Sequence, residues 1–218
     1  RPILILLCST IAVEFYTLLD TTMVGILNGD KAVAYYTNSS RVSKIVISIV
    51  TSLSSVLLPH LSYFYAHGMK KEINNLVNIV TKVIFYLSIP LGIGLFCVAD
   101  MVVKFFFGSS FTPAIETLRI STILIYVLGL SNLFGSQILL TFSKEKQLVL
   151  ATVTGAIINF SLNCFFIPIY AQNGAMIASI ISESVVTLMT FLFAKKYVVF
   201  KFSICEFIKI LICAAVLL

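Results

Sequence analysis

Charged residues occur inside two long apolar segments near the start of the sequence. Glu14 and Asp20 lie in the first segment, and Arg41 and Lys44 lie in the second. A charge at the centre of a bilayer costs about 2.5 to 3.5 kcal/mol on insertion scales, so such residues normally face a cavity or pair with one another. Counted from the turn near Asp30, each acid has a base at a similar depth on the neighbouring segment. The spacing therefore predicts a polar site inside the membrane.

Two interpretations of these four residues remain open. Arg41 and Lys44 are three residues apart, so they share one face of a helix. In one interpretation they form ion pairs with Asp20 and Glu14 that hold a helical hairpin together. In the other they line a water-filled cavity and attract an anion, and the acids are their partners when no substrate is present. Arginine suits phosphate because its planar fork binds two oxygens at once.

A second polar pair is predicted by counting from the turn near Gln172. Asn159 and Glu183 lie at similar distances on either side of this turn, close to the middle of the membrane. Intramembrane acids serve as proton relays in many transporters, so Glu183 is a candidate for ion coupling. The alternative is a protonated Glu183 that is hydrogen-bonded to Asn159 and has no transport role.

The patterns typical of an enzyme or a metal centre do not occur in the sequence. There is no nucleophile–histidine–acid set, no glycine-rich phosphate loop and no spacing typical of metal ligands. None of the five cysteines forms a CxxC pair, so we expect packing residues rather than disulfides or a zinc site. We therefore expect no catalytic residue, no bound metal and no cofactor.

Composition indicates an integral membrane protein. Hydrophobic residues make up 59% of the chain and charged residues only 11%, whereas a soluble domain has about 25% charged residues. The mean hydropathy is +1.06. The net charge of +6 needs no nucleic-acid partner, because Lys and Arg gather in the cytoplasmic loops of membrane proteins.

The candidate residues must be positioned by membrane-spanning helices, each of which needs roughly 20 mostly apolar residues. The segments are about twice as long as the strands of a membrane barrel and do not alternate, so they predict an all-α polytopic bundle. We expect residues 199–218 to form a cytoplasmic connection and the start of a further helix. Both ends of the chain look cut, so we expect a fragment of a larger protein. Six spans are predicted, at residues 3–27, 33–65, 76–98, 114–142, 148–167 and 175–194.

Three local features refine these spans. Residues 100–107 are expected to lie along the membrane interface. Pro90 interrupts the helical hydrogen-bond ladder in the third span, which predicts either a hinge or a static kink. Gly174, Ala178 and Ser182 recur every four residues, and small residues at this spacing let helices approach closely.

The loops predict the orientation in the membrane. The side rich in lysine is expected to be cytoplasmic by the positive-inside rule. Residues 28–31, 108–113 and 172–174 are then expected to face outward. The lysines of the cytoplasmic side are Lys70, Lys71, Lys144, Lys146, Lys195, Lys196 and Lys201.

Short motifs carry a family resemblance along nearly the whole chain. They are LDTTMVG (19–25) with VAYY (33–36), SVLLPHLS (55–62), GLSN (129–132) with QILL (137–140), KEK (144–146), and IP (167–168) followed by GA (174–175) and Glu183. In this order they resemble the second lobe of bacterial polysaccharide repeat-unit flippases, the Wzx-type transporters of the MATE-like, or MOP, superfamily. One departure is His60, which follows Pro59 where the family usually has Arg.

The resemblance implies a fold, a function and partners. Residues 1–198 would form the second, C-terminal six-helix lobe, which rocks against an N-terminal lobe of the same protein. The two lobes would flip an undecaprenyl-pyrophosphate-linked oligosaccharide, a unit of O-antigen, capsule or exopolysaccharide, across the bacterial cytoplasmic (inner) membrane. Arg41 and Lys44 would bind the pyrophosphate, and the polysaccharide polymerase machinery would be a further partner.

Three alternatives to this function are kept. A lipid II flippase also moves a pyrophosphate-linked lipid. A multidrug exporter of the same superfamily moves cations and favours an acidic cavity, so Arg41 and Lys44 argue against it. From a different class, the chain could belong to a membrane scaffold for glycan synthesis that transports nothing.

Overall fold

The computed structural model describes residues 2–200 of the chain. At the start of the first helix it describes only the side chains of Ile11 and Glu14, and from Thr17 onward it describes every side chain. The further helix predicted for the end of the chain falls on residues 201–218, which lie outside the described residues.

The described part of the chain is a bundle of helices and contains no strand. A backbone in lipid must satisfy its polar groups internally, which a helix achieves within a single segment. The predicted all-α membrane bundle is thus confirmed. Its helices are α1 (Pro2–Asn28), α2 (Asp30–Ser55), α3 (Leu57–Ala66), α4 (Lys70–Phe107), α5 (Ala114–Ser121), α6 (Ile123–Ser131) and α7 (Glu145–Ala194), with a 3₁₀ helix (Ser109–Phe111) and a π-helix (Asn132–Leu139).

The long helix α7 is two arms joined at a sharp break. Ala171 has φ 49° and ψ −130°, which lie outside the helical region. The first arm (145–170) and the second arm (172–194) pack against each other, since Asn159 lies 3.5 Å from Ser182. Pro168 was expected to close the fifth span, and it lies within α7 three residues before the break.

Four stretches of the described chain are long and apolar enough to cross a membrane by length and composition. The last of them contains both arms of α7. They are Asp30–Ala66, Lys70–Phe107, Ala114–Leu139 and Glu145–Ala194.

The stretch predicted to lie along the interface is not a separate element. Residues 100–107 continue α4, which runs unbroken for 38 residues, or about 57 Å at 1.5 Å per residue. An ion pair of 2.9 Å between Asp100 and Lys104 joins successive turns here. The helix continues through Pro90 and past the apolar block, and it ends at Gly108, where φ is 82°.

The loops sort to the two ends of the bundle as the hydropathy pattern predicts. At one end, Tyr35 Oη donates to Ser110 O at 3.4 Å, and Asn173 Nδ2 donates to Glu116 Oε2 at 2.9 Å. At the other end, the Lys144 ammonium lies 5.6 Å from the centre of the Tyr197 ring. The lysine-rich loops 144–146 and 195–196 therefore meet at one end.

The core lies between α2, α4, α5, α6 and the π-helix. Val50, Ile84, Leu118 and Ile125 are buried there. Helix α2 is also held to α5 by hydroxyl groups, since Ser39 Oγ donates to Ala114 O at 2.9 Å. These contacts fix the rotation of α2 about its axis, and this rotation decides which of its residues face outward.

Candidate functional site

A cavity of about 310 Å³ lies between α1, α2, α6 and the second arm of α7. It brings together five of the six residues predicted from the sequence, which are Glu14, Asp20, Arg41, Lys44 and Glu183. Asn159 is buried nearby and does not line the cavity. The other lining residues are Thr17, Thr21, Tyr36, Thr37, Ser40, Ser43, Ile47, Leu124, Leu128, Met176 and Ser179.

The walls of the cavity differ in charge. Helix α2 contributes both bases, Arg41 and Lys44, and its side chains here are otherwise hydroxyl-bearing or apolar. The acids come from α1 and from the second arm of α7. Leu124, Leu128 and Met176 give the remaining wall an apolar surface. The cavity therefore has one cationic wall facing acidic walls, which suits an amphipathic ligand better than a uniformly charged one.

The carboxylate of Asp20 is the centre of a buried hydrogen-bond network. Only 2% of its surface is exposed. Its Oδ2 accepts from Tyr36 Oη at 2.9 Å and from Ser179 Oγ at 2.7 Å. Its Oδ1 accepts from Asn163 Nδ2 at 2.5 Å. Three neutral donors thus compensate the loss of water, without which burial of a carboxylate would be strongly unfavourable.

The hairpin ion pairs suggested by the depth comparison do not form. Among the described residues, no ion pair of 4.0 Å or less joins Arg41 or Lys44 to Glu14 or Asp20. Arg41 and Lys44 are instead exposed on the cavity side of α2. Depth counting predicted that the acids and bases lie near one another, and all four residues line one cavity. It did not fix the rotation of α1, which turns Asp20 towards α7.

The hydrogen bond between Glu183 and Asn159 that one alternative required does not form among the described residues. Asn159 Nδ2 lies 3.5 Å from Ser182 Oγ, and Asn159 Oδ1 accepts from Asn163 Nδ2 at 3.1 Å. Ser182 faces the first arm of α7, whereas Glu183 is about 100° further round the helix and lines the cavity. Glu183 therefore stays a candidate for ion coupling, and Asn159 supports the Asp20 network from behind.

Sequence reasoning missed the side chains that hold Asp20. Tyr36 and Ser179 both line the cavity, and Asn163 is fully buried. The signal for Asn163 was its spacing of four residues from Asn159, which places both amides on one stripe. Nothing in the sequence pointed to Tyr36, because a tyrosine in an apolar segment usually packs with its hydroxyl at the membrane surface.

The small-residue stripe of the second arm of α7 is confirmed as a packing face. Gly174, Ala178 and Ser182 are all buried. A Cβ on Gly155, in the facing arm, would overlap Val186 Cγ2. The two arms therefore approach closely enough to hold the Asn159–Asn163 pair against Ser182.

Known proteins are similar to this chain in sequence. The chain is 24% identical over 200 residues to a probable low-salt glycan biosynthesis flippase of Haloferax volcanii, covering 89% of this chain and 41% of that protein. It is 21% identical over 190 residues to a putative O-antigen transporter of Escherichia coli K12, covering 86% of this chain and 45% of that protein. The chain thus spans less than half the length of these relatives.

The fold matches a solved transporter structure. Superposed on lipid II flippase MurJ in an inward closed conformation, the chain has a TM-score of 0.82 and a sequence identity of 21%. The superposition covers 95% of this chain and 44% of that one. At this identity the likeness shows the fold alone, which the chain shares with a part of that transporter.

The family is settled by residues 4–116, which match the family described as polysaccharide biosynthesis protein. These residues contain nearly all of α1, all of α2, both bases of the cavity and Asp20. Because they make up 113 of its 218 residues, the chain belongs to the polysaccharide biosynthesis protein family.

Proposed function

We propose that this chain is one lobe of a flippase that moves an undecaprenyl-pyrophosphate-linked oligosaccharide repeat unit across the bacterial cytoplasmic membrane. The lobe works with a first lobe of the same protein by alternating access, and Arg41 and Lys44 hold the pyrophosphate during the crossing. The observation that carries the proposal is the exposure of both bases on one wall of the cavity, with neither Glu14 nor Asp20 within ion-pairing distance.

The chemistry of the bases fits a pyrophosphate. The planar guanidinium of Arg41 offers a fork of donors that matches two phosphate oxygens, and the Lys44 ammonium adds a point charge beside it. Charges that remain unpaired in a membrane are costly, so an anionic ligand stabilises this wall. The family description and the names of the glycan and O-antigen relatives support a glycan carried on such a lipid.

The acids of the cavity are candidates for ion coupling. Glu14 is exposed, and Glu183 lies on the arm of α7 that also carries Ser179. Asp20 joins α1, α2 and both arms of α7 through its three donors. A proton or cation that binds at these acids would change the balance of hydrogen bonds between the helices.

A transport assay on the full-length protein tests the proposal. Arg41→Ala and Lys44→Ala, singly and together, are compared with Arg119→Ala in a complementation test of glycan export. Arg119 is an exposed arginine of the same lobe that lies over the Phe96 ring, 5.4 Å from its centre, and does not line the cavity. We expect the double variant to abolish export and the control to retain it. Normal export by the double variant, at equal protein level in the membrane, rejects the cavity hypothesis.

A lipid II flippase is the second candidate function. It is favoured by the matches to lipid II flippase MurJ, which include 25% identity over 166 residues to the Bacillus subtilis protein. The two candidates share the pyrophosphate and differ in the sugar. Vesicles that contain the full-length protein, loaded in parallel with labelled lipid II and labelled repeat-unit lipid, distinguish them by which lipid crosses. If neither lipid crosses, the scaffold alternative gains support.

A further inference from the structure

Helix α2 exposes two different faces along its length. Arg41, Lys44, Ser48, Ser52 and Ser55 are all exposed, and their spacing of three or four residues places them on one side of the helix. We call these five residues the polar face of α2. At about 100° per residue, the next sector round the helix is apolar. It consists of the exposed side chains Ile45, Ile49 and Leu53, and it continues to the exposed Val56 just after the end of α2.

The polar face starts at the cavity and runs towards the lysine-rich end of the bundle. Arg41 and Lys44 line the cavity, and Ser55 is the last residue of α2. The distance from Lys44 to Ser55 is about 16 Å at 1.5 Å per residue, which is roughly half of the hydrocarbon core. One turn before Arg41 on α2, the Thr37 hydroxyl lines the cavity and has no hydrogen-bond partner within the described part of the chain.

The serine hydroxyls of this face are left with acceptor capacity. Ser48 Oγ donates its single proton to Ile45 O at 2.7 Å, and Ser52 Oγ donates to Ile49 O at 2.9 Å. Ser55 Oγ donates to Ser52 O at 2.7 Å. Each hydroxyl oxygen keeps two lone pairs that can accept hydrogen bonds. Sugar hydroxyl groups are donors that suit such a row of acceptors.

Resting on the proposed function, we propose that the polar face of α2 lines the cytoplasmic half of the substrate route. Ser48, Ser52 and Ser55 accept hydrogen bonds from the polyhydroxylated head group while Arg41 and Lys44 hold its phosphates. Serines that bond to their own helix are tolerated in lipid, so they do not carry this inference by themselves. It is carried by the two bases on the same face, by the cavity into which the face leads, and by the separate apolar sector that suits the hydrocarbon.

Accessibility of single cysteines tests whether this face meets water. Cysteines at Ser48, Ser52 and Ser55 are compared with cysteines at Ile49, Leu53 and Val56, in full-length protein from which the native cysteines have been removed. Inside-out vesicles are treated with a membrane-impermeant thiosulfonate, which reacts only with thiolates in contact with water. We expect modification at the serine positions to be about ten-fold faster or more. Equal rates in the two sets, or no reaction at the serine positions because the first lobe covers them, overturn the proposal.

Removal of the hydroxyls tests the contact with the head group. The triple variant Ser48→Ala, Ser52→Ala and Ser55→Ala keeps the shape of the helix. The matched control is Ser161→Ala with Ser184→Ala, because these exposed hydroxyls also donate to their own helix, at 2.8 Å and 2.7 Å. We expect the triple variant to raise KM for vesicle transport roughly ten-fold and to retain kcat. This is the result expected when a variant loses contacts that bind the substrate equally in the ground state and in the transition state. Unchanged KM overturns the contact, even where Arg41→Ala abolishes transport and the proposed function stands.

Discussion

Ser179, on the second arm of α7, donates a hydrogen bond of 2.7 Å to the carboxylate of Asp20 on α1, although 159 residues separate them. Tyr36 from α2 donates to the same carboxylate oxygen, and Asn163 from the first arm of α7 donates to the other. One buried carboxylate therefore ties the two ends of the described chain together beside the cationic wall. This geometry makes Asp20 a determinant of the position of α1 and α2.

The first prediction concerns the stability that Asp20 contributes. Asp20→Ala removes the acceptor that three buried donors share. Asn163 Nδ2 and Ser179 Oγ still reach Asn159 Oδ1 and Ala175 O, whereas Tyr36 Oη keeps only a 3.5 Å contact with Ser179 Oγ. An unsatisfied buried group costs about 1 to 3 kcal/mol. We expect a clear fall in the melting temperature of the purified full-length protein in detergent. Asp20→Asn keeps the shape and one acceptor, so its melting temperature should fall less. Glu14→Ala, at an exposed position of the same cavity, is the control, and a melting temperature of Asp20→Ala equal to that of this control contradicts the prediction.

The second prediction concerns the guanidinium fork of Arg41. Arg41→Lys keeps the charge and loses the paired donors, and a hydrogen bond to a charged group is worth about 1.5 to 3 kcal/mol. We expect transport in vesicles to fall roughly ten-fold or more, since each 1.4 kcal/mol is a factor of ten. Lys44→Arg keeps both charge and donors and should retain most of the activity. If Arg41→Lys transports at the parental rate, the fork has no part in binding.

The third prediction concerns the turn between the arms of α7. A Cβ on Gly174 would overlap the backbone oxygen of Phe166. A backbone atom cannot move aside as the end of a flexible side chain can. Overpacking of this kind costs about 1 to 3 kcal/mol, so Gly174→Ala should lower the melting temperature. Gly94→Ala is the matched control, because nothing lies within 4 Å of its added Cβ. Alanine is the better helix former, so this control should melt at the same temperature or slightly higher. If the Gly174→Ala protein has the same melting temperature as the control, the turn relaxes to accept the added Cβ without loss of stability.

The fourth prediction concerns orientation in the membrane. Single cysteines at Asn28 and Lys71 are placed in a cysteine-free background, and Asn28 is chosen over Gly29 because Gly29 has φ 81°. The positive-inside rule places Lys71 in the cytoplasm. An impermeant thiol reagent added to intact cells should therefore label position 28 and leave position 71 unlabelled until the cells are opened. Labelling of position 71 in intact cells would reverse the topology.

The apolar segments of the sequence predict the helices well, because the length of a spanning helix follows directly from the thickness of the bilayer. The spacing of Arg41 and Lys44 predicts their common face for a similar reason, since helical geometry is local. Residues 100–107 were expected to lie along the interface because hydropathy marks where a segment leaves the hydrocarbon. It does not mark where the helix ends, and α4 continues to Phe107.

Sequence alone determined that the chain is a bundle of membrane helices and that its bases share one helix face, and it predicted acids close to these bases. All of these follow from composition and from periodicity along a single segment. Only the tertiary structure decided which neighbours the acids have. The rotation of each helix about its axis depends on packing between segments far apart in sequence, such as α1 with α7. That packing gives Asp20 the neutral donors Tyr36, Asn163 and Ser179, and it leaves Arg41 and Lys44 open to the cavity.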